Sequence, residues 1–256
     1  MSKLAAENEF LDLSDYGRPI AKLLANWLKN TWLTPIHVTL VFGFCGLIAI
    51  YCIFLNHYIL ASFFIILKSI IDAVDGELAR VKNTPSYVGR YLDSVFDITL
   101  NFLFFMTICY VSKTSFWMSL LAFFCIQLQG TLYNYYYVIL RNKSIGGDKT
   151  SKIFEDKSPK ALPGETQKWV NIWFGIYTIV YGIFDKIIHV LDSDAYKVNT
   201  FPNWFMTIVS LYGLGFQLLI IAVMLPLGWI EVIVPFFIAY SVFIFVLIGI
   251  RKIYLK

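Results

Sequence analysis

Four aspartates, Asp72, Asp75, Asp93 and Asp97, stand with Gly76, Ala79, Arg80 and Gly89 at fixed offsets where two strongly apolar segments meet. Carboxylate oxygens without histidine or cysteine beside them are hard ligands, suited to Mg²⁺ or Mn²⁺ rather than zinc or copper. Four such groups suffice for a two-ion site that neutralises phosphate oxygens and stabilises the attacking and leaving oxygens of an in-line displacement. Gly76 and Ala79 leave room for a large phosphorylated ligand against a helix, and Arg80 offers its guanidinium to a phosphate. Together these residues point to phosphoryl transfer. The acids also need compensation: at a bilayer centre each aspartate costs roughly 2.5 to 3.5 kcal/mol, so four left alone would cost about 10 kcal/mol.

Helical periodicity explains how the acids converge. At 100° per residue Asp72, Asp75 and Ala79 fall within one narrow arc, with Gly76 and Arg80 on its flank, while Gly89, Asp93 and Asp97 step by four along the next segment. A turn through Asn83, Thr84, Pro85 and Ser86 makes the two helices antiparallel and brings both acidic stripes to the same end.

The chain has 256 residues, 58% hydrophobic and 18% aromatic, which is the composition of a polytopic membrane protein. Apolar runs long enough to cross about 30 Å of hydrocarbon fall at residues 36–56, 58–81, 89–111, 116–140, 204–225 and 229–250. A further stretch, residues 169–184, is short, is interrupted by Asn171 and stops at Asp185 and Lys186, so it reads as a partly embedded or interfacial helix. The predicted fold is therefore all-α, with six transmembrane helices.

Charge sets the predicted orientation. Arg80, Lys82 and Arg90 cluster at the second loop, and Lys143, Lys149, Lys152, Lys157, Lys160 and Lys168 at the fourth, whereas the first and fifth loops carry no lysine or arginine. By the positive-inside rule both termini, these two loops and the acidic site are cytoplasmic, in agreement with Arg18, Lys22 and Lys29 before the first span and Arg251, Lys252 and Lys256 after the last. Ahead of the first span, Ile20, Leu23, Leu24, Trp27 and Leu28 alternate with Arg18, Lys22, Asn26 and Lys29 at helical spacing, an amphipathic helix lying along the membrane surface. Residues 1–35 thus form a tail and interfacial helix, and residues 36–256 a six-helix catalytic domain with a cytoplasmic loop and interfacial segment at about 142–202.

A net charge of +4, with its basic residues outside the apolar runs, gives no basis for nucleic-acid binding. Cys45, Cys52, Cys109 and Cys125 sit in apolar runs without CxxC spacing and read as buried thiols. The first residues carry Glu7, Glu9, Asp12 and Asp15 and lack the pattern of a signal peptide.

The eight positions Asp72, Asp75, Gly76, Ala79, Arg80, Gly89, Asp93 and Asp97 match the signature D-x2-D-G-x2-A-R-x8-G-x3-D-x3-D, and the chain resembles the CDP-alcohol phosphotransferase family. The segment at residues 18–39 also looks like the interfacial helix and first span of members related to inositol-phosphate lipid synthases; there a common Thr-Pro-Asn becomes Thr34, Pro35 and Ile36. The resemblance implies that Asp72, Asp75 and Asp93 hold two divalent ions, Mg²⁺ or Mn²⁺, and that Gly76, Ala79 and Arg80 bind the CDP moiety. Asp97 would be the general base and could touch an ion as well. It further implies transfer of a phospho-alcohol from a CDP-alcohol donor to an alcohol acceptor with release of CMP, one of the two substrates being a lipid, in a protein that is typically a homodimer.

Other polar residues have simpler readings. Lys68, four before Asp72, is spaced to pair with it; Gln127, Gln129, Tyr133, Asn134, Tyr136 and Tyr137 offer interhelical hydrogen bonds; His37, His57 and His189 are scattered. The lysine-rich loop reads as solvated, or as a pocket for an anionic acceptor. Two other classes use intramembrane acids. An aspartate-rich prenyltransferase would need a second acidic motif, and the later acids Asp185, Asp192, Asp194 and Glu231 are dispersed. A cation transporter often shows an internal repeat or broken helices around such a site, and neither is evident here.

Overall fold

A computed structural model describes residue 4 and residues 8–143, 155, 157–198 and 200–255. Glu7, Asp148, Lys149, Lys152, Asp156 and Lys256 lie outside the described residues. Among those described, the regular elements are helices: α1 (Arg18–Leu28), α2 (Pro35–Phe54), α3 (Tyr58–Lys82), α4 (Tyr87–Ser112), α5 (Phe116–Lys143), α6 (Gln167–Leu191), α7 (Asn203–Val209), α8 (Leu214–Met224), α9 (Ile230–Tyr240) and α10 (Phe243–Tyr254).

Local chemistry sets several boundaries. Pro35 opens α2, where its missing N–H is no loss, and the Thr34 N–H donates to His37 Nδ1 at 3.1 Å, which gives His37 a capping role. α3 ends on Asn83, which takes the left-handed conformation at φ 53° while Thr84 N–H donates to Ala79 O. α4 starts at once, with Ser86 Oγ accepting from Gly89 N–H at 2.8 Å. The acidic helices are thus joined by a tight turn, yet they pack chiefly on α2 rather than on each other. α2 approaches α4 closely through Gly43, where a β-carbon would lie 2.6 Å from the Phe96 ring. This splay opens the space between the acidic faces.

By length and composition α2, α4, α5, α6 and the α9–α10 run can cross a membrane, and the α7–α8 pair, bent by 53°, makes a sixth. α3 carries Lys68, Asp72 and Asp75 along its length, though it is as long as α6 and packs closely on α2. α6 is apolar along its length, and its two ends are held by other helices. Just before it, Glu165 Oε1 accepts from Ser86 Oγ at 2.7 Å and Val88 N–H at 2.8 Å, at the start of α4. Just after it, Asp192 Oδ2 accepts from Tyr136 OH at 2.7 Å and Arg251 Nε at 2.7 Å, near the ends of α5 and α10. Arg141, in the last turn of α5, lines the same cavity as Ser86, so both ends of α6 are held at one end of the bundle. Five to six of these helices are long and apolar enough to span a membrane, and α6 is laid against α4 and α5.

Two details differ from the sequence reading. α6 runs to Leu191 instead of stopping at residue 184, because Asp185 accepts from Tyr177 OH (3.4 Å) within the helix rather than ending it. The run at 204–225 is not one straight helix: a 3-10 turn (Ser210–Tyr212) and an extended Gly213 break it.

α1 divides its apolar residues between two surfaces. Ala21 and Ala25 are fully buried, with Leu24 and Leu28 packed beside Val74 and Leu78 of α3. Leu23 and Trp27 remain 61% and 77% exposed, as an interfacial helix requires if its outer face meets lipid. The main core, including Phe42, Ile53, Ile65, Phe105, Ile108 and Phe237, joins α2, α3, α4 and α9. Polar residues tie helices together as expected: Gln129 Nε2 donates to Ser241 Oγ at 2.7 Å, and Gln217 Nε2 to Gln129 Oε1 at 3.1 Å. All four cysteines are free thiols.

Candidate active site

α3 presents Asp72 and Asp75 and α4 presents Asp93 and Asp97 to one cavity of about 1310 Å³. Asp72, Asp75 and Asp93 each bring a carboxylate oxygen within 4.8 Å of the others, close enough to share a cation. Asp75 is oriented from α2, where Thr39 Oγ1 donates to its Oδ2 at 2.8 Å. Asp93 Oδ1 is buried without a hydrogen-bond partner among the described residues. An unpaired buried carboxylate oxygen is costly, and a hard cation between the three aspartates would satisfy it, so the donor set fits Mg²⁺ or Mn²⁺.

Asp97 lines the cavity but stands outside that group of three. Lys68 Nζ donates to Asp97 Oδ1 and, at 3.1 Å, to Asp72 Oδ2, which links the two helices through one ammonium. The expected Lys68–Asp72 pair is therefore present, with a second carboxylate added. The Lys68 side chain is 1% exposed and lies 4.7 Å from the Phe42 ring centroid.

The residues expected at the nucleotide line the same cavity: Gly76, Ala79 and Arg80. A β-carbon on Gly76 would meet nothing nearer than the Arg80 guanidinium at 3.6 Å, so that face is open. Arg80 Nη2 donates to Glu77 Oε1 at 2.8 Å, and Arg18 Nη1 reaches the same oxygen at 3.4 Å. One carboxylate thus aligns two guanidinium groups, and those cations hold the Glu77 side chain in place. Gly89 has a packing role beside any other, because a β-carbon there would come 3.2 Å from the Ser86 Oγ that caps α4.

Several contributors escaped the sequence reading. Ser14 and Asp15 line the cavity, and so does Arg18, which the helical pattern had placed on the polar side of α1. They are brought in by hydrogen bonds to later helices: Leu13 N–H to Ser210 Oγ at 3.0 Å and Tyr133 OH to Asp12 Oδ2 at 2.6 Å. Beside them, burial pushes the Tyr16 hydroxyl above its ordinary value. From the lysine-rich loop, Pro163, Gly164, Glu165 and Thr166 reach the cavity, whereas Lys157, Lys160 and Lys168 do not. Arg90 is held by Glu155, its Nη2 donating to Oε2 at 2.7 Å.

Among the described residues the later acids form no second cluster of this kind. Asp192 is fully buried against Arg251 and Tyr136. Compared with known families, the chain matches CDP-alcohol phosphatidyltransferase across residues 32–247. No curated protein matches it.

Proposed function

The chain belongs to the CDP-alcohol phosphatidyltransferase family, and from that membership we propose that it moves a phospho-alcohol group from a CDP-alcohol to the hydroxyl of a second alcohol, one of the two substrates being a lipid, with release of CMP. The observation that carries this reading is the meeting of Asp72, Asp75 and Asp93 beside the unpartnered Asp93 Oδ1, on the wall of a cavity that also holds Arg80.

In this reading Asp72, Asp75 and Asp93 hold two divalent ions, Mg²⁺ or Mn²⁺, which when bound supply charge neutralisation at the diphosphate. Arg80, aligned by Glu77, takes a phosphate oxygen, and the open face at Gly76 and Ala79 lets the CDP moiety lie against α3. Asp97 accepts the proton of the acceptor hydroxyl. The freed oxygen forms a bond to the phosphorus bearing the donor alcohol, the bond from that phosphorus to the bridging oxygen breaks, and CMP leaves with the electron pair. The product is a phosphodiester joining the two alcohols.

The lysine and arginine distribution supports a cytoplasmic position for the cavity and both termini, where CDP-linked substrates are accessible. A prenyltransferase reading lacks the second acidic cluster among the described residues.

The test is CMP release by purified protein in detergent or nanodiscs, given Mg²⁺ or Mn²⁺ and a panel of CDP-alcohols and acceptors. Metal-dependent CMP release with one donor and acceptor pair is expected; none with any pair sinks the reading.

A further inference from the structure

Asp15, Arg18, Glu77 and Arg80 alternate in charge along the cavity wall where α1 packs on α3. Arg18 binds Asp15 through Nε and Nη2 and reaches Glu77 Oε1 from Nη1 at 3.4 Å. Arg80 engages the same carboxylate, Nη2 donating to Oε1 at 2.8 Å and Nε to Oε2 at 3.4 Å. Glu77 is buried, so its charge is stable only with such partners, and it divides its attraction between the two guanidinium groups. Arg18 is itself firmly placed. α1 buries Ala21 and Ala25 against α3, and the segment ahead of it is packed so tightly on α8 that Gly215 has no room for a β-carbon beside Ser14. Among the described residues, Arg18 is the one member of α1 that lines the cavity.

We propose that Arg18 is a positioning residue for the donor: by sharing the charge of Glu77 it keeps that carboxylate from drawing Arg80 wholly to itself, so that Arg80 can turn its remaining N–H groups to a phosphate of the nucleotide. The proposal rests on the reading of Arg80 as a phosphate ligand of the donor. A guanidinium carries five N–H groups, and Glu77 engages Arg80 through Nε and Nη2 only, which leaves donors on both Nη atoms for the cavity. Without Arg18 the full attraction of Glu77 falls on Arg80, and those donors are pulled away from a phosphate. Because Arg18 acts through Glu77, its effect disappears once residue 77 is neutral. An arginine that only anchors α1, or that touches the phosphate itself, would have the same effect with either side chain at 77.

The experiment measures CDP binding in the presence of Mg²⁺ by isothermal titration calorimetry on the full chain in detergent, with Mn²⁺ binding followed separately by electron paramagnetic resonance. The variants are Arg18→Met, Arg18→Lys, Glu77→Gln, Arg80→Ala and the double variant Arg18→Met/Glu77→Gln. Arg18→Met is expected to weaken CDP binding about fivefold, within the effect of a charge-assisted hydrogen bond, and to keep Mn²⁺ affinity without nucleotide within about threefold of wild type. Arg18→Lys still offers Glu77 a point charge and is expected within about twofold of wild type. In the Glu77→Gln background the Arg18→Met change adds less than about twofold, since the carboxylate that couples the two arginines is neutral. Unchanged CDP binding in Arg18→Met, or an equal loss in both backgrounds, overturns the proposal. Loss of Mn²⁺ binding together with CDP binding in Arg18→Met would make Arg18 a support of the whole site and overturns it too. If Arg18→Met cannot be purified folded, Arg18→Gln carries the same expectations. Should Arg80→Ala weaken CDP binding while Arg18→Met does not, the part given to Arg18 alone fails; no CDP binding by wild type, or wild-type affinity in Arg80→Ala, removes the donor reading on which it stands.

Discussion

Thr39 and Asp75 are joined across two helices: the hydroxyl on α2 donates 2.8 Å to the carboxylate on α3, so the element lying between the acidic helices also aims one of the metal-binding groups. Thr39→Val keeps the shape and removes the donor. Partners of this kind behind a metal ligand are typically worth about 10 to 100-fold in metal affinity or activity. Thr39→Val is expected to raise the Mn²⁺ concentration needed for half-maximal CMP release by about that range, and Thr39→Ser to stay near wild type. Equal behaviour of the two variants would show that the hydroxyl does not orient Asp75.

The aspartates are expected to separate by phenotype. Asp75→Asn loses Mn²⁺ binding, whereas Asp97→Asn keeps both Mn²⁺ and CDP-alcohol binding and loses about 10² to 10⁴-fold in turnover, the usual share of a general base. Binding isotherms together with single-turnover rates check this. Near-wild-type rates in Asp97→Asn would remove it as the base.

Arg80 and Glu77 act on the donor side. Arg80→Ala is expected to raise KM for the CDP-alcohol by about 10-fold or more, in line with about 1.5 to 3 kcal/mol for a charge-assisted hydrogen bond. Glu77→Gln leaves the guanidinium in place but loosens its alignment, so a smaller rise is expected. Initial rates over a range of donor concentration distinguish the two, and an unchanged KM in Arg80→Ala would place the phosphates elsewhere.

Because both ends of α6 are tied to the same end of the bundle, reporters inserted at residues 158 and 193 should lie on one side of the membrane, together with a C-terminal tag. Cysteine labelling in sealed vesicles checks this. Opposite sidedness of residues 158 and 193 would make α6 a crossing helix.

Arg251 and Asp192 form a buried pair in which the carboxylate is fully enclosed. Removing one partner strands the other, and Arg251→Ala is expected to destabilise the protein by about 3 to 5 kcal/mol. A thermal unfolding scan in detergent reads this as a marked fall in Tm, and a Tm like that of wild type would mean that Asp192 finds other compensation.

The apolar helices, the N-terminal helix α1 and the convergence of Asp72, Asp75 and Asp93 were readable from periodicity, because apolar stripes and i, i+4 steps are local properties of a chain. Contacts between remote segments were not. Nothing in the spacing of Thr39 says that it will meet Asp75, and nothing around Glu165 says that it will cap α4. Local pattern misjudged α6 for a related reason: Asp185 resembles a helix end until Tyr177, two turns earlier, supplies its hydrogen bond. The charge of Lys68 was visible as a partner for Asp72, but its second bond, to Asp97, depends on how α3 and α4 splay around α2.

The N-terminal segment sets an order of assembly. Leu13 is bonded to Ser210, 197 residues later, and Ser14 lies against Gly215 at the start of α8. The wall that carries Ser14, Asp15 and Arg18 therefore cannot close while the chain is being inserted from its N-terminus; it waits until α8 has left the ribosome and entered the bilayer. Until then the acidic helices face an unfinished pocket, whose wall forms when the segment ahead of α1 docks beside α8.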